Sequence, residues 1–351
     1  MPAVLRPTPV PPLPCAPAEI DAFLSRPTPR AVEIVARTPG PFLVLGAGGK
    51  IGLHLGAMLR RALDQLGRAD RVIAVSRFTS LRDRAAFARL GVETLPCDLT
   101  DAASLARLPD APNVFFLAGV KFGTTAAPGL LHAINVGMPD RVASRFNKSR
   151  IVAFSSGGVY PFVPPASGGA TEETPPAPVG DYAASCLARE RTFAAAAARH
   201  GNPVALLRLN YAVEFRYGLL LDIAEKIRRE EPVDVTMGHV NVIWQGDAVA
   251  HSIQALSVAS SAATPINVTG REILSVRDLA HRFAAALERP AHIVGHEAAT
   301  ALLNNASHSH RLFGAPATSV DQMIGWVSAW VARGGETWGK PTGFERRDGR
   351  F

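Results

Sequence analysis

Three regularly spaced glycines stand between an apolar run and an amphipathic stretch, and this arrangement suits phosphate binding. The run is 42–45, the stretch is 51–66, and the spacing is G-x-x-G-x-x-G. Glycines let the backbone approach phosphates, while the N–H groups and positive dipole end of the following helix attract negative charge. We therefore predict a dinucleotide-binding turn; a flexible loop in a glycine-rich chain is the alternative. The residues of this turn predicted to contact the coenzyme are Gly46, Gly49, Lys50, Ile51 and Gly52.

The residues after the next apolar run indicate which dinucleotide would bind. Ser76 and Arg77 follow the run 72–75, at a place where an acidic residue would accept hydrogen bonds from the adenosine ribose of NAD. Arg77 can pair with a 2′-phosphate instead. We therefore predict NADP as the cofactor and keep NAD as the alternative, because Arg77 could equally stack on adenine or face solvent.

Strand-like and helix-like segments alternate through the first two thirds of the chain. Continuous apolar runs predict strands at 42–45, 72–75, 94–97, 113–117, 151–154 and 204–209, and helical patterns cover 51–66, 80–90, 128–147 and 182–199. Apolar strands alternating with helices indicate a parallel sheet covered on both faces. The sequence therefore predicts an α/β fold, with a doubly wound parallel sheet of the Rossmann type and a smaller C-terminal substrate lobe.

The same pattern divides the chain into four parts. They are a Pro-rich, partly disordered N-terminal extension (1–38), a dinucleotide-binding domain (39–210), a substrate-binding lobe (211–333) and a tail (334–351). We expect one strand and one helix of the lobe to return to the sheet. The tail lacks periodicity and is expected to wrap over the surface or over a partner subunit.

The composition excludes several functional classes. The net charge is +7, but the basic residues are scattered rather than gathered on one stripe, so we predict no nucleic-acid partner. The chain lacks the roughly eighteen consecutive apolar residues of a membrane span, and no secretory signal is visible, so we expect a cytoplasmic protein with no membrane partner. Its three widely spaced cysteines predict reduced thiols. Alternation would place His308 and His310 on one side of a strand, but no third ligand at a diagnostic spacing accompanies them, so no metal is predicted.

Further motifs follow the glycine turn along the chain. They are Asp98-Leu99-Thr100, Leu117-Ala118-Gly119, the serine-containing segment 151–160 and Tyr182. From about residue 42 to 330 the chain thereby resembles the extended short-chain dehydrogenase/reductase family, which contains NAD-dependent nucleotide-sugar epimerases and dehydratases. The resemblance implies that Asp98 and Leu99 contact the adenine end of the coenzyme, although Asp98 could instead close a turn. It also implies that the backbone of Ala118 and Gly119 lies against the ribose.

The resemblance further implies two catalytic hydroxyls, Ser156 and Tyr182. Ser156 would polarise a substrate carbonyl, and Tyr182 would move a hydroxyl proton while hydride passes to or from nicotinamide. Family members place a lysine four residues after this tyrosine, where it contacts ribose and lowers the phenol pKa. Cys186 stands at that position here, next to the expected cofactor.

A neutral thiol cannot supply the missing positive charge, and three explanations remain open. Lys121, two residues past Gly119 at the carboxyl edge of the fourth strand, is the candidate substitute cation. Alternatively, Tyr182 acts only as a neutral donor, or the protein binds nucleotide without turning it over.

Candidate substrate contacts come from the same loops and from the lobe. Arg208, Asn210 and Arg216 suit an anionic or hydroxyl-rich substrate. The complete set of predicted contacts also includes Lys121, Ser156, Gly157 and Trp244.

The sequence therefore predicts an NAD(P)-dependent oxidoreductase or epimerase acting on a sugar-like or hydroxylated carbonyl or alcohol. A catalytically impaired dinucleotide-binding sensor or scaffold is the alternative, supported by Cys186. A lyase or dehydratase ranks last, since Gly157 and Gly158 stand where a carboxylate would be needed. Besides a small-molecule substrate, the expected partner is a second copy of the chain, bound through the helices 128–147 and 182–199.

Overall fold

A seven-stranded parallel sheet forms the centre of the protein. The computed structural model describes residues 13–14, 16–79, 81–120 and 128–349. The strands of the sheet are β1 (Phe42–Leu45), β2 (Val72–Ser76), β3 (Glu93–Pro96), β4 (Asn113–Phe116), β5 (Arg150–Ser156), β6 (Val204–Leu209) and β11 (Pro265–Val268). Their order is β11-β6-β5-β4-β1-β2-β3, and every neighbouring pair is parallel. The predicted doubly wound fold is confirmed.

The order of the strands reverses at β1. From β1 the chain proceeds outward to β2 and β3, then returns to place β4 on the other side of β1, with Leu45 level with both Val75 and Phe116. In open α/β sheets, ligands bind at the carboxyl ends of the strands where the order reverses. This point lies beside the glycine turn.

Helices connect the strands and cover the sheet. In the described residues the α-helices are α1 (Pro17–Leu24), α2 (Pro29–Arg37), α3 (Gly52–Gln65), α4 (Leu81–Arg89), α5 (Ala102–Ala106), α6 (Pro128–His132), α7 (Met138–Arg145), α8 (Asp181–His200), α9 (Leu219–Arg228), α10 (Gln245–Gln254), α11 (Val276–Leu287), α12 (Ser307–Phe313) and α13 (Val320–Ala332).

Alternate residues of β1 belong to two hydrophobic cores, one on each face of the sheet. Phe42 and Val44 pack with α2, α3 and α10, whereas Leu43 and Leu45 pack with α7 and α8. All four side chains are fully buried. A strand buried on both faces needs a continuous apolar sequence, which explains why β1 could be recognised from the sequence.

The third core belongs to the C-terminal lobe. It joins α9, α11 and α13 with α1 and with short strands. Those strands are β7 (Ala212–Val213), β8 (Val233–Asp234), β9 (His239–Val240), β10 (Ile243–Trp244), β12 (Leu274–Ser275) and β13 (Ile293–Val294). Strand β11 pairs with β6 in the central sheet, and helix α10 packs in the core on one face of that sheet.

Two local predictions differ from the structure. The single helix predicted over 128–147 is interrupted by a π-helical turn, Ala133–Gly137, between α6 and α7. The strand expected around His308 and His310 is the helix α12.

The N-terminal extension forms two helices, α1 and α2. Helix α2 packs on α3 and α10, and residues 1–12 lie outside the described part of the chain.

Candidate active site

The turn between β1 and α3 requires glycine at two positions. Gly46 has a φ of +81°, which residues with a side chain rarely adopt, and a Cβ there would overlap the backbone of Ala118. A Cβ on Gly52 would overlap the carbonyl of Ala47. The amides of Gly46 and Ala47 donate to the Val75 carbonyl at 2.9 and 3.0 Å, so the turn is held against β2.

The N-terminus of α3 presents amides to this turn. Ile51 precedes the helix, and its side chain forms no capping hydrogen bond. First-turn amides have no partner inside a helix, and together with the helix dipole they attract anions. The turn and the helix start therefore fit the diphosphate of a dinucleotide.

The predicted adenine contacts lie at the ends of β2 and β3. Ser76 Oγ faces Gly48, and a Cβ on that glycine would lie 2.6 Å from it. The Asp98 carboxylate accepts hydrogen bonds from the hydroxyl and amide of Thr100, at 2.6 and 2.9 Å. These bonds, assisted by the charge of Arg77, lower the pKa of Asp98. Asp98 thus closes a turn, the alternative role expected for it, while staying exposed at this edge.

The loop after β4 is held by an asparagine from the π-helical turn. The Asn135 side chain accepts from the amide of Val120 and donates to its carbonyl, at 2.9 and 3.0 Å, and also donates to Ser185 Oγ. The backbone at Gly119 is therefore fixed beside α8. Lys121 lies outside the described residues, so its predicted role as the substitute cation stays a prediction.

A cavity of about 330 Å³ opens at the carboxyl edge of the sheet. It brings together predicted residues from five parts of the sequence: Lys50, Ile51, Gly119, Ser156, Tyr182 and Asn210. Two other predicted residues, Gly157 and Leu99, are not among the residues that line the cavity. Gly157 packs against Asn210 and Asn304, and Leu99 is buried in the core on the α7–α8 face.

Two adjacent serines at the end of β5 have different roles. Ser156 lines the cavity, and its hydroxyl accepts a hydrogen bond from the amide of Gly158 at 3.1 Å. That bond orients the oxygen and leaves the hydroxyl proton to be donated elsewhere. Ser155 donates instead to Glu190 at 2.5 Å. Both serines line the cavity, but only the Ser156 hydroxyl keeps its proton available there.

Tyr182 lies in the first turn of α8, half-buried at the cavity wall. Burial raises the pKa of this tyrosine far above its ordinary value, and the neighbouring Cys186 adds to the rise, whereas the positive charge of Arg189 lowers it. Cys186 itself is fully buried one helical turn later. The phenol is consequently protonated at neutral pH and is a hydrogen-bond donor.

Arg189 is a cavity residue that the sequence reasoning missed. The residue is only 5% exposed. Its Nη1 donates a hydrogen bond to the Phe154 carbonyl at 3.0 Å. Its Nε and Nη2 are buried and have no hydrogen-bond partner among the described residues. The available signal was its position seven residues after Tyr182, which places both side chains on one face of α8.

Three predicted substrate contacts point elsewhere in the described structure. Arg216 does not line the cavity; it forms ion pairs with Asp21 and Glu214 at 3.0 and 3.2 Å. Trp244 is buried in an aromatic cluster, 5.0 Å from the Phe215 ring. Arg208 pairs with Glu190 inside the core.

These positions have a common physical reason. A buried charge is stable only when it is paired, and the rings bury large apolar areas, so the lobe uses these side chains for its own packing. We therefore leave Arg208, Arg216 and Trp244 out of the proposed site.

The C-terminal tail forms one wall of the cavity. Its residues Thr342, Phe344 and Arg346 line the cavity, and Phe344 is buried in the core of the lobe. Farther back, Trp338 stacks on Tyr217 with 5.9 Å between ring centroids. The tail thus folds over its own lobe, one of the two locations expected from the sequence.

Lys50 connects the glycine turn to this wall. Its ammonium lies 2.8 Å from the centroid of the Tyr217 ring, with Trp338 behind. Charged residues of one sign dominate the cavity: Lys50, Arg189 and Arg346 line it, and no Asp or Glu does so in the described part of the chain. Such a cavity favours an anionic ligand.

The fold and cavity agree with comparisons to known proteins. Residues 42–299 match the model of the NAD dependent epimerase/dehydratase family. Because the match spans more than half of the chain, the chain belongs to this family, and the resemblance to extended short-chain dehydrogenases/reductases is confirmed. It is an enzyme of the epimerase/dehydratase type. A comparison with curated proteins finds no match.

Solved structures share the fold at low sequence identity. UDP-glucuronic acid 4-epimerase from Bacillus cereus in complex with NAD has a TM-score of 0.69 at 17% identity, over 83% of this chain and 98% of that chain. MoeE5 in complex with UDP-glucose and NAD has a TM-score of 0.65 at 21% identity, over 84% and 99%. A double mutant of DesIV, a dTDP-glucose 4,6-dehydratase from Streptomyces venezuelae with NAD and DAU bound, has a TM-score of 0.70 at 20% identity, over 83% and 96%.

The described residues contain neither a metal-binding cluster nor a helix that could span a membrane. No group of three His, Cys, Asp or Glu side chains in them is arranged to hold a metal ion. Likewise, none of the helices in these ranges combines the length and the apolar character needed to cross a bilayer.

Proposed function

We propose that this protein oxidises and re-reduces a hydroxylated carbon of a nucleotide-linked sugar, as an NAD-dependent epimerase. The observation that carries the proposal is the meeting of the glycine turn, Ser156 and Tyr182 at one cavity. Family membership supports the reaction class. The substrate class is supported by the three solved structures, which are a UDP-glucuronic acid 4-epimerase, a protein in complex with UDP-glucose and a dTDP-glucose 4,6-dehydratase, each with NAD.

Ser156 and Tyr182 have complementary roles at the reacting oxygen. A bound nicotinamide supplies the hydride acceptor and donor. Ser156, oriented by the amide of Gly158, donates a hydrogen bond to the substrate oxygen. In the oxidation step the hydroxyl proton passes to the ionised oxygen of Tyr182, and in the re-reduction step Tyr182 returns that proton to the carbonyl oxygen. Because burial keeps the phenol protonated in the free protein, Tyr182 must first lose its own proton to solvent before it can act as the base.

We place epimerisation or simple redox chemistry ahead of elimination. Elimination of a hydroxyl needs a further acid and base near the reacting carbon. No carboxylate lines the cavity among the described residues, and Gly157 and Gly158 follow Ser156 directly. The cations Lys50 and Arg346 instead suit the phosphates of a nucleotide-linked sugar.

For the cofactor we propose NAD rather than NADP. Ser76 and Arg77 predicted NADP, but the solved neighbours were determined with NAD, so that preference has no support from them. Arg77 is near enough to Asp98 for its charge to lower the pKa of that carboxyl, so the carboxylate competes with a 2′-phosphate for this arginine. Isothermal calorimetry with NAD and NADP should give the lower Kd for NAD.

Product analysis tests the reaction. Purified protein is incubated with UDP-glucose, UDP-glucuronic acid, dTDP-glucose and the free sugars, and epimers are resolved by NMR. Tyr182→Phe should lower kcat by roughly 100- to 10,000-fold and Ser156→Ala by a similar factor. Tyr211→Phe, which removes another hydroxyl from the cavity wall, is the matched control and should keep most of the activity. Equal rates for Tyr182→Phe and Tyr211→Phe would remove Tyr182 from the mechanism.

A dinucleotide-binding sensor is the second candidate, favoured by the raised pKa of Tyr182 and the buried thiol of Cys186. It predicts that NAD binds while no sugar nucleotide in the panel is converted.

The homodimer through the helical segments 128–147 and 182–199 is a separate proposal. Light scattering of the full chain tests it by measuring the molar mass in solution.

A further inference from the structure

Arg189 and Tyr182 share one face of helix α8. Seven residues separate them, close to two helical turns, whereas Cys186 follows Tyr182 by one turn. Helical side chains tilt toward the N-terminus of their helix. A long side chain at position 189 therefore extends back toward Tyr182. It can reach the same space beside Tyr182 that a lysine at position 186 would occupy.

The Arg189 guanidinium is an unusual buried charge. It forms no ion pair among the described residues, and only Nη1 has a hydrogen-bond partner, the Phe154 carbonyl. The next residue, Glu190, is already paired with Arg208. Burying a charge without a partner is costly, so such a group in a native protein calls for a ligand or a function.

The unpartnered part of the guanidinium faces the cofactor cleft. A Cβ on Gly119 would lie 2.6 Å from Arg189 Nη2, so this nitrogen lies against the backbone that follows β4. Arg189 also lines the cavity that Ser156 and Tyr182 line. The buried Nη2 therefore lies next to the place where a dinucleotide, whose diphosphate occupies the glycine turn, would bring its nicotinamide-side ribose.

We propose that Arg189 binds the hydroxyls of the nicotinamide-side ribose and supplies the positive charge beside Tyr182, so that it replaces the amino group absent at position 186. This inference rests on the proposed function, because it requires a nicotinamide dinucleotide in the cleft. The planar fork of N–H donors on a guanidinium suits a ribose diol. Arg189 is thus assigned as a cofactor-binding and positioning residue.

Binding of coenzyme fragments tests the ribose contact without any turnover. NAD and ADP-ribose carry the second ribose, whereas ADP does not. In calorimetry, Arg189→Met should weaken NAD and ADP-ribose by roughly ten- to a hundredfold, the loss expected for hydrogen bonds from a charged donor, and leave ADP unchanged. Arg189→Lys should keep an intermediate affinity. Arg191→Met, an exposed arginine on the same helix, is the matched control and should change none of the three.

Thermal unfolding separates a ligand-binding arginine from a structural one. Replacing an unpaired buried charge with an apolar side chain of similar length relieves the cost of burying it, so Arg189→Met should keep or raise the Tm of the free protein. A lower Tm together with equal losses for NAD and ADP would assign Arg189 a structural role and overturn the inference. Unchanged NAD affinity in Arg189→Met would overturn it as well.

The same titrations distinguish the two proposals. If the wild-type protein binds none of the three nucleotides, the proposed function itself fails. If the wild type binds all three and Arg189→Met shifts them equally or not at all, only the role of Arg189 fails.

Discussion

Glu190 and Arg208 form a two-point ion pair in the interior, with Nη2–Oε2 and Nε–Oε1 distances of 2.6 and 2.9 Å. Both side chains are 5% exposed. Arg208 also donates to the Tyr160 hydroxyl at 2.7 Å, and Ser155 donates to Glu190. The pair therefore ties α8, which carries Tyr182, to β6 and to the end of β5, which carries Ser156.

Breaking this pair from one side should destabilise the protein strongly. Arg208→Met leaves the Glu190 carboxylate buried and unpaired, which costs about 3–5 kcal/mol of unfolding free energy. The double variant Glu190→Leu/Arg208→Met removes both charges and should recover much of that loss. Urea denaturation at neutral pH measures all three proteins. A single-variant loss below about 1 kcal/mol would contradict the buried pairing.

Substitutions in the glycine turn should separate positions that need glycine from one that tolerates a side chain. Gly46→Ala forces a Cβ into the backbone of Ala118 at a positive φ, so the turn must shift, and NAD should bind at least about tenfold more weakly. Gly49→Ala is the control, because a Cβ there would meet only the Gly46 carbonyl at 3.5 Å. Calorimetry with NAD should rank wild type, Gly49→Ala and Gly46→Ala in that order of affinity.

Stability should fall with acid because of a histidine far from the cavity. Burial, and secondarily His310, lowers the pKa of His251 from 6.5 to about 4. In the unfolded chain His251 therefore binds a proton as the pH falls below 6.5. In the folded chain it binds that proton only as the pH falls below about 4. The stability that His251 contributes is complete above pH 6.5 and is lost as the pH falls through this window, by about 3 kcal/mol in total.

His251→Leu should flatten that pH dependence. Urea unfolding at pH 5 and pH 7 gives the difference in stability for each protein, and the variant should show a smaller difference than the wild type. His292→Gln, at an exposed position, is the control and should follow the wild type. An equal pH dependence in His251→Leu and wild type would show that His251 is not the group that titrates.

The tail wall should act on substrate more than on coenzyme. Trp338 holds the tail against Tyr217 of the lobe, and the tail residues Thr342, Phe344 and Arg346 after it line the cavity. Trp338→Ala should raise KM for the sugar nucleotide several-fold and leave the NAD Kd unchanged. Lys340→Ala, at an exposed position of the same segment, is the control. A parallel loss of NAD affinity would mean that the tail supports the whole cleft.

Much of the dinucleotide-binding half could be predicted because its signals are local. The central strands are continuous apolar runs buried on both faces, the positive φ of Gly46 favours glycine, and Gly52 is required by its contact with Ala47 in the same turn. The helix 128–147 was only partly right. Its π-helical turn carries Asn135, which bonds the backbone of Val120, 15 residues earlier in the chain. The helical spacing of apolar residues gives no sign of such a contact.

The substrate side was less predictable. Arg208, Arg216 and Trp244 have residue types that suit substrate binding, but their partners come from distant positions such as Asp21, Glu190 and Phe215. Whether an arginine side chain lines the cavity or forms an ion pair in the core depends on those partners. Phe344 in the tail likewise reaches the cavity by packing in the core of the lobe, without any helical or strand pattern.

The amino-acid order alone predicted the alternation of strands and helices, the glycine turn and the two hydroxyls of Ser156 and Tyr182, since each prediction follows from neighbours in the chain or from a recognisable motif. Three-dimensional packing decided which arginines line the cavity, which arginines are consumed by ion pairs, and that the tail forms one wall of the cavity. Those features depend on side chains brought together from separate elements, and the fate of a charge is set by the burial and the partners that only the folded chain provides.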